Sequence, residues 1–203
     1  DLSYFHIVTK LMRNAELEKS LAKLNVSSVY ALMFHRENEV TDTAWRKFEN
    51  WKKQKFTKKI GVSVYSPDKL LRIIQNYPVD IVQIPLNLLD QRFIPLLPEL
   101  KEKKIEVHTR SVFLQGLLLM NKYPKYFDSV KPVLQKIPEP KLLYALNFAL
   151  SLQQTDKTVV GVSCLKDLEE IYNASISPCP SIDYSSFSVH DEKIINPSLW
   201  SKE

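Results

Sequence analysis

Six positions at the C-terminal ends of short apolar runs, most of them polar residues that directly follow the run, stand out in this 203-residue chain. In order they are Thr9-Lys10, His35, Ser63, Gln83, Arg110-Ser111 and Gly161-Val162-Ser163. Between them they offer an ammonium, an imidazole, a guanidinium, hydroxyls and one amide. Lys10 and Arg110 could hold an anion, and the hydroxyl and amide groups could fix a ligand by hydrogen bonds. One such residue is ordinarily a loop cap, a satisfied hydrogen-bonding group or, for a lysine, a surface side chain. Gln83 alone would pass for a buried amide capping neighbouring strands. Six in succession form a pattern, because parallel α/β proteins collect their chemistry at the C-terminal ends of strands.

The apolar runs behave as strands should. Phe5–Thr9, Val29–Phe34, Ile60–Val64, Ile81–Ile84, Ile105–Thr109 and Thr158–Val162 are near-continuous and β-branched, as expected of strands buried on both faces. Helical patterns lie between them. Ala15–Leu24 carries Leu17, Leu21 and Leu24 on one stripe, and Thr41–Lys55 places Trp45 and Phe48, with Trp51 or Lys52 after them, at helical spacing. Ser66-Pro67-Asp68 is a helix start, with Ser as N-cap, Pro at the first position and an acid in the first turn. A short polar helix around Glu99 and Lys101 precedes the fifth strand. The longer interval from Thr109 to Thr158 predicts helices over Val112–Asn121 and Lys141–Gln154, with Pro124, Pro132, Pro138 and Pro140 between them. A last helix is expected over Lys166–Asn173, then a Ser- and Pro-rich tail from Ser175 packed down through Phe187 and Trp200. Six strand–helix units in regular alternation mean a parallel α/β architecture, either a doubly wound sheet or a (β/α) barrel two units short of eight.

Composition narrows the chemistry. Three glycines in 203 residues leave no G-x-G-x-x-G and no G-x-x-x-x-G-K, so a nucleotide could not be held by a glycine-rich cradle. The formal charge is 28 − 23 = +5. Its densest source is Arg46–Lys59, with seven basic residues against Glu49. This run reads as the solvated face of an amphipathic helix, since no nucleic-acid-binding module accompanies it. Cys164 and Cys179 lack metal-ligand spacing and His6, His35, His108 and His190 are scattered, so neither a metal site nor a disulfide framework is expected. The default setting is reducing and cytoplasmic. No apolar run approaches 18 residues and the N-terminus has no basic n-region followed by an apolar h-region, so neither a membrane span nor an export signal is expected.

The strand-end motifs, taken in order, resemble those of the aldo/keto reductase family from its third barrel strand onward. Ile7-Val-Thr-Lys10 is similar to the family strand ending in T-K. Leu17 to His35, LEKSLAKLNVSSVYALMFH, is similar to its S-L-x-x-L helix and the strand ending in His. Ile60-Gly-Val-Ser63, Val79-Asp-Ile-Val-Gln83 with Asn87, SVFLQGL from Ser111 to Leu117, and GVSCLKDLEE from Gly161 to Glu170 complete the series. The three glycines, Gly61, Gly116 and Gly161, all fall within these motifs. Each motif alone is weak, whereas the ordered set spans nearly the whole chain.

The resemblance implies the last six units of a (β/α)8 barrel in a single domain over residues 1–203, with residues 175–203 as a C-terminal tail packed on it. It implies an NAD(P)H-dependent oxidoreductase that reduces an aldehyde or ketone, cofactor NADP(H) or NAD(H), with a small-molecule carbonyl as partner and neither nucleic acid nor membrane. In the family a hydride passes from nicotinamide C4 to the carbonyl carbon while a Tyr hydroxyl gives a proton to the oxygen. A Lys lowers that phenol's pKa, an Asp pairs with the Lys, and a His orients the carbonyl. By this resemblance Lys10 and His35 are the catalytic Lys and His. Ser63 and Gln83 hold the nicotinamide carboxamide, and Arg110, Ser111, Phe113 and Ser163 complete the cofactor contacts. No metal is implied. The family's Tyr and Asp belong to its first two units and are expected upstream of Asp1, in a longer protein.

Three positions depart from the family pattern. Val64 follows Ser63 where Asn is usual, and Arg110 stands where a Tyr stacks on the nicotinamide. Between Ser163 and Ile171 only Lys166 is near a 2′-phosphate position, so NADP is not secured over NAD. His108-Thr-Arg-Ser111 and Ile195–Trp200 resemble a bacterial subgroup linked to surface-sugar metabolism, which makes sugar-derived carbonyls an expected substrate class. Tyr65, Trp45 and Trp200 are candidate walls of the substrate pocket. Two other readings remain open: a non-catalytic barrel or inactive fragment serving as a binding module, and a phosphate-handling barrel using Lys10 and Arg110.

Overall fold

The fold follows from a computed structural model that describes residues 4–12 and 16–200. Six strands run in parallel and sit in chain order in one sheet. They are β1 (Val8–Leu11), β2 (Val29–Phe34), β3 (Thr57–Ser63), β4 (Ile81–Pro85), β5 (Glu106–Arg110) and β6 (Lys157–Thr158). Helices α1 (Leu17–Leu24), α2 (Asp42–Lys53), α3 (Pro67–Asn76) and α4 (Leu97–Glu102) connect the first five strands. The chain divides into two compact units, one of residues 1–84 and 98–107, the other of 85–97 and 108–203.

In the first unit β1, β2, β3 and β4 pair in that order, with Lys10 opposite Met33, Met33 opposite Gly61, and Ser63 opposite Gln83. Ala31, Met33 and Ile81 form a buried apolar cluster on which Val8 and Tyr30 pack. Phe34 stacks on Phe48 at 3.9 Å and on Trp45 at 5.8 Å, and Trp45 in turn stacks on Tyr77 at 4.9 Å. This aromatic layer is the apolar face of α2, whose Trp45, Phe48 and Trp51 are buried while Arg46, Lys47 and Lys53 are exposed. The basic run is therefore the outer face of an amphipathic helix and the strand start after it. Lys52 bonds Asp80 at 2.6 Å, and Lys59 pairs with Glu106. The predicted cap is in place, Ser66 accepting from the Lys69 N–H at 3.4 Å, and Thr41, expected inside its helix, caps α2 instead by accepting from the Ala44 N–H at 3.2 Å.

In the second unit β5 and β6 pair through His108 opposite Lys157 and Thr109 opposite Thr158. Helix α5 (Lys131–Leu134) is a single turn, and α6 (Lys141–Ser151) buries Tyr144, Ala145, Leu146, Phe148 and Ala149. Helix α7 (Leu165–Ile176) buries nothing. The tail folds into short helical turns, including α8 (Glu192–Ile195), and docks through buried Phe187, Ile194 and Ile195. Trp200 packs edge-on against Phe127 at 4.8 Å and donates its indole N–H to the Ile194 carbonyl at 2.9 Å.

Most elements shift by one to three residues from their expected bounds, as β3 does in starting at Thr57 rather than Ile60, and four differences have a clear local cause or consequence. The first strand is Val8–Leu11 rather than Phe5–Thr9, because pairing with β2 begins at Val8 and Phe5 is exposed. Lys10 thus lies within the strand instead of after it. The sixth strand shrinks from Thr158–Val162 to Lys157–Thr158: it pairs on one side with β5 only, and Val159 and Val162 are exposed. No α-helix forms over Val112–Asn121. Ser111, Leu114, Gln115 and Gly116 all have positive φ, which breaks the right-handed path, and only a 3-10 turn at Leu117–Leu119 survives. The first helix starts at Leu17; Ala15, assigned to it from the sequence, lies outside the described residues, as do residues 201–203 of the tail.

Candidate functional site

Strand pairing in the first unit brings four of the expected residues to one end of the sheet. Lys10 is in β1, His35 directly follows β2, Ser63 ends β3 and Gln83 is the third residue of β4. Parallel strands in register place these C-terminal ends side by side. The His35 N–H donates to the Leu11 carbonyl at 3.1 Å, and the Val64 N–H to the Gln83 carbonyl at 3.0 Å, so the backbone is anchored beyond the strand ends. Ser63 is 2% exposed and Gln83 6%, while Lys10 and His35 are half-buried.

The defining contact is between Lys10 and Gln83. Lys10 Nζ donates to Gln83 Oε1 at 2.9 Å, across the two intervening strands. An ammonium, an imidazole, a hydroxyl and an amide thus occupy one strand-end cluster. The amide and hydroxyl can bond a planar carboxamide, and the ammonium supplies positive charge beside it.

In the second unit Arg110 ends β5 and its Nη1 donates to Ser111 Oγ at 3.2 Å. The left-handed turn after it, at φ 59° for Ser111, is held by Asn87, which is fully buried. Asn87 Nδ2 donates to the Ser111 carbonyl at 3.1 Å, and its Oδ1 accepts from the Leu89 and Asp90 N–H groups, each at 3.0 Å. Phe113 is half-buried on this loop. Ser163 is exposed, and its N–H donates to Asp167 Oδ2 at 2.9 Å at the start of α7. Bonds from Ser163 and Cys164 hold the Asp167 carboxyl below its ordinary value.

Two of the three suggested pocket walls serve other ends. Trp45 is 2% exposed inside the aromatic layer, and Trp200 anchors the tail. Sequence reasoning missed the group beneath Asn87. Asp90, fully buried, binds Arg92 through Oδ1 to Nε at 2.9 Å and Oδ2 to Nη2 at 3.1 Å, and Arg92 reaches Glu192 of α8 at 2.9 Å. The D-Q-R triplet was visible, but its partner lies 100 residues on, beyond any local pattern. Among the described residues no group of His, Cys, Asp and Glu could hold a metal, and no helix is long and apolar enough to cross a membrane.

A parallel α/β sheet with polar side chains gathered at its strand ends is the arrangement in which this architecture places active sites. The aldo/keto reductase family model matches residues 8–191, and the chain belongs to that family. The family's cofactor is NAD(P)H. Solved structures show the same fold. The aldo-keto reductase AKR11C1 from Bacillus halodurans, in its holo form, superposes with a TM-score of 0.77 at 15% identity, covering 98% of this chain and 75% of that one. The thermostable aldo-keto reductase Tm1743, solved with the inhibitor epalrestat, gives 0.69 at 15% identity over 92% of this chain and 73% of its own. The aldo-keto reductase AKR2E5, solved with NADPH, gives 0.63 at 22% identity over 90% and 63%. Among curated proteins none matches the sequence.

Proposed function

We propose that this chain carries the cofactor-binding and carbonyl-orienting part of an NAD(P)H-dependent oxidoreductase that reduces an aldehyde or ketone, sugar-derived carbonyls among its substrates. The observation that carries the reading is the Lys10–Gln83 bond at 2.9 Å with Ser63 registered opposite Gln83 and His35 directly after β2. Ser63 and Gln83 are the right types, and buried enough, to hold a carboxamide by direct hydrogen bonds. When bound, the nicotinamide supplies the hydride for the carbonyl carbon. His35 orients the carbonyl oxygen. Lys10 supplies the positive charge that lowers the pKa of a proton-donating phenol, which in this family comes from a Tyr of the first two barrel units. Arg110, with its planar guanidinium, takes the stacking position, and Ser111, Phe113 and Ser163 contribute further cofactor contacts.

The same reading makes the six parallel strands the last six units of an eight-unit barrel, residues 1–203 one domain, and the tail from Ser175 part of its packing. Coverage of 98% of this chain against 75% of the AKR11C1 structure supports it. The two free cysteines, Cys164 and Cys179, suit a reducing cytoplasm.

Calorimetric titration of the 203-residue chain with NADPH and NADH tests the reading. One saturable site is expected for at least one dinucleotide, and Ser63→Ala should weaken it about tenfold, the worth of one hydrogen bond in a buried site. Absence of binding to both would overturn it.

A further inference from the structure

The N-terminal end of the sheet, away from Lys10, His35, Ser63 and Gln83, holds a cleft of its own. Where the chain enters β1, β2 and β3, about 530 Å³ of space opens among residues 5–7, 25–30 and Lys58, all of the first unit. That volume lies in the range of small-molecule sites.

One wall is flat and held in place. The His6 and Tyr30 rings stack at 4.1 Å with their planes 4° apart. Tyr30 is fixed by its 2.6 Å bond to Glu106, and its N–H donates to the Ile7 carbonyl at 2.9 Å. The rest of the lining is rich in donors. The Asn25 and Val26 N–H groups close α1 on the Ala22 and Leu21 carbonyls, each at 3.1 Å. The Asn25 amide, the hydroxyls and N–H groups of Ser27 and Ser28, and the Lys58 ammonium have no partner among the described residues. No Asp or Glu lines the cleft.

The surrounding charge is one-sided. Arg46, Lys53, Lys55 and Lys58 are exposed and enter no ion pair among the described residues, whereas Lys52 and Lys59 of the same run are neutralised by Asp80 and Glu106. Thr57, next to Lys58, is registered opposite Val29 of the cleft, so the basic run leads into it. Unpaired cations beside a concavity draw anions toward it.

We propose that this cleft binds a small phosphate monoester carrying a planar ring, at a site independent of the cofactor reading. The three terminal oxygens of the phosphate take the Lys58 ammonium, the Asn25 amide and the donors of Ser27 and Ser28, which are more than the two oxygens of a carboxylate need. The ring lies along the His6–Tyr30 wall. An aryl phosphate and a nucleoside monophosphate share this chemistry.

The 203-residue chain is titrated calorimetrically with phenyl phosphate, uridine 5′-monophosphate and inorganic phosphate, at low and high salt. One saturable site is expected for at least one of the ring-bearing monoesters, about fivefold or more tighter than for inorganic phosphate and weaker at high salt. The tighter of the two monoesters identifies the source of the ring. Lys58→Glu should weaken this binding by more than about tenfold, and Ser27→Ala with Ser28→Ala by about fivefold, while Lys10→Met leaves it unchanged. Lys58, Ser27 and Ser28 are exposed, so these variants should melt like the native chain by circular dichroism. No saturable binding of either monoester, equal affinity for inorganic phosphate, native affinity in Lys58→Glu or lost affinity in Lys10→Met would each overturn the proposal.

Discussion

Gly61 has no room for a side chain. A Cβ there would lie 1.7 Å from the Ile81 carbonyl oxygen, on the β4 residue registered opposite it. A methyl group would push β3 from β4 at the point where Ser63 and Gln83 are aligned. Gly116 is constrained differently: space around it is open, but its φ of +85° strains any other residue. We expect Gly61→Ala to cost more than about 3 kcal/mol and Gly116→Ala about 1 kcal/mol, with Gly161→Ala near zero as the control. Urea denaturation followed by circular dichroism gives the ranking, and equal costs at 61 and 161 would refute the close approach. The sequence shows all three glycines inside family-like motifs, yet it does not separate these reasons, because a clash across strands depends on register. Lys10, His35, Ser63 and Gln83 were legible as a set, since each lies at or close to the end of an apolar run. Their mutual bonding was not, as Lys10 and Gln83 are 73 residues apart.

Strands β2, β3 and β5 share a three-residue tie. Tyr30 donates its hydroxyl to Glu106 at 2.6 Å, Lys59 pairs with the same carboxylate, and the Lys59 ammonium sits 5.3 Å from the Tyr30 ring centre. The Glu106 bond, with burial added, raises the Tyr30 phenol above its ordinary value of 10.0. Burial pulls the Lys59 ammonium down, but the bonds to Glu106 and Tyr30 outweigh it and leave it above 10.5. Both groups hold their protons longer in the folded state, so their stabilisation is complete below about pH 10 and is lost as pH rises through the folded values. Unfolding measured from pH 8 to 11.5 should show stability falling from about pH 10. Tyr30→Phe should flatten that fall and cost ~0.5 kcal/mol at neutral pH, the scale of a partly exposed polar pair. A steeper alkaline fall in Tyr30→Phe would show that the tie does not work this way. At this scale helices with explicit caps, at Thr41 and Ser66, were readable to within a residue or so. The stretch from Val112 was not. Its buried Val112, Leu114, Leu117 and Leu118 mimic a helical stripe, while the positive φ values that forbid the helix fall mostly on residues with a Cβ, which carry no glycine signal.

In the molecule taken whole, the family was legible because six weak motifs occur in a fixed order. How the tail is fastened was not, because the fastening couples residues far apart in sequence. Arg92 joins fully buried Asp90 to Glu192, Gln91 donates to the Tyr184 carbonyl at 2.7 Å, and the Val189 N–H donates to the Leu89 carbonyl at 2.9 Å. Arg92→Met would leave the Asp90 carboxylate buried without its cation. A loss of about 3 kcal/mol is expected, with early proteolytic release of residues beyond Ser175, and Asp90→Asn in the same chain should restore part of it. Native-like protease resistance of Arg92→Met would show that the tail is held by apolar packing alone. The three tryptophans divide between the two compact units, Trp45 and Trp51 in the first and Trp200 in the second. Trp45 is sealed among rings, its indole N–H the one buried side-chain polar atom without a partner among the described residues, whereas Trp200 is half-buried and hydrogen-bonded. Their emission should differ in colour, and Trp200→Phe would leave a chain that glows from the first unit only. The protein thus carries an optical label on each half, through which the order of their unfolding can be watched without adding a dye.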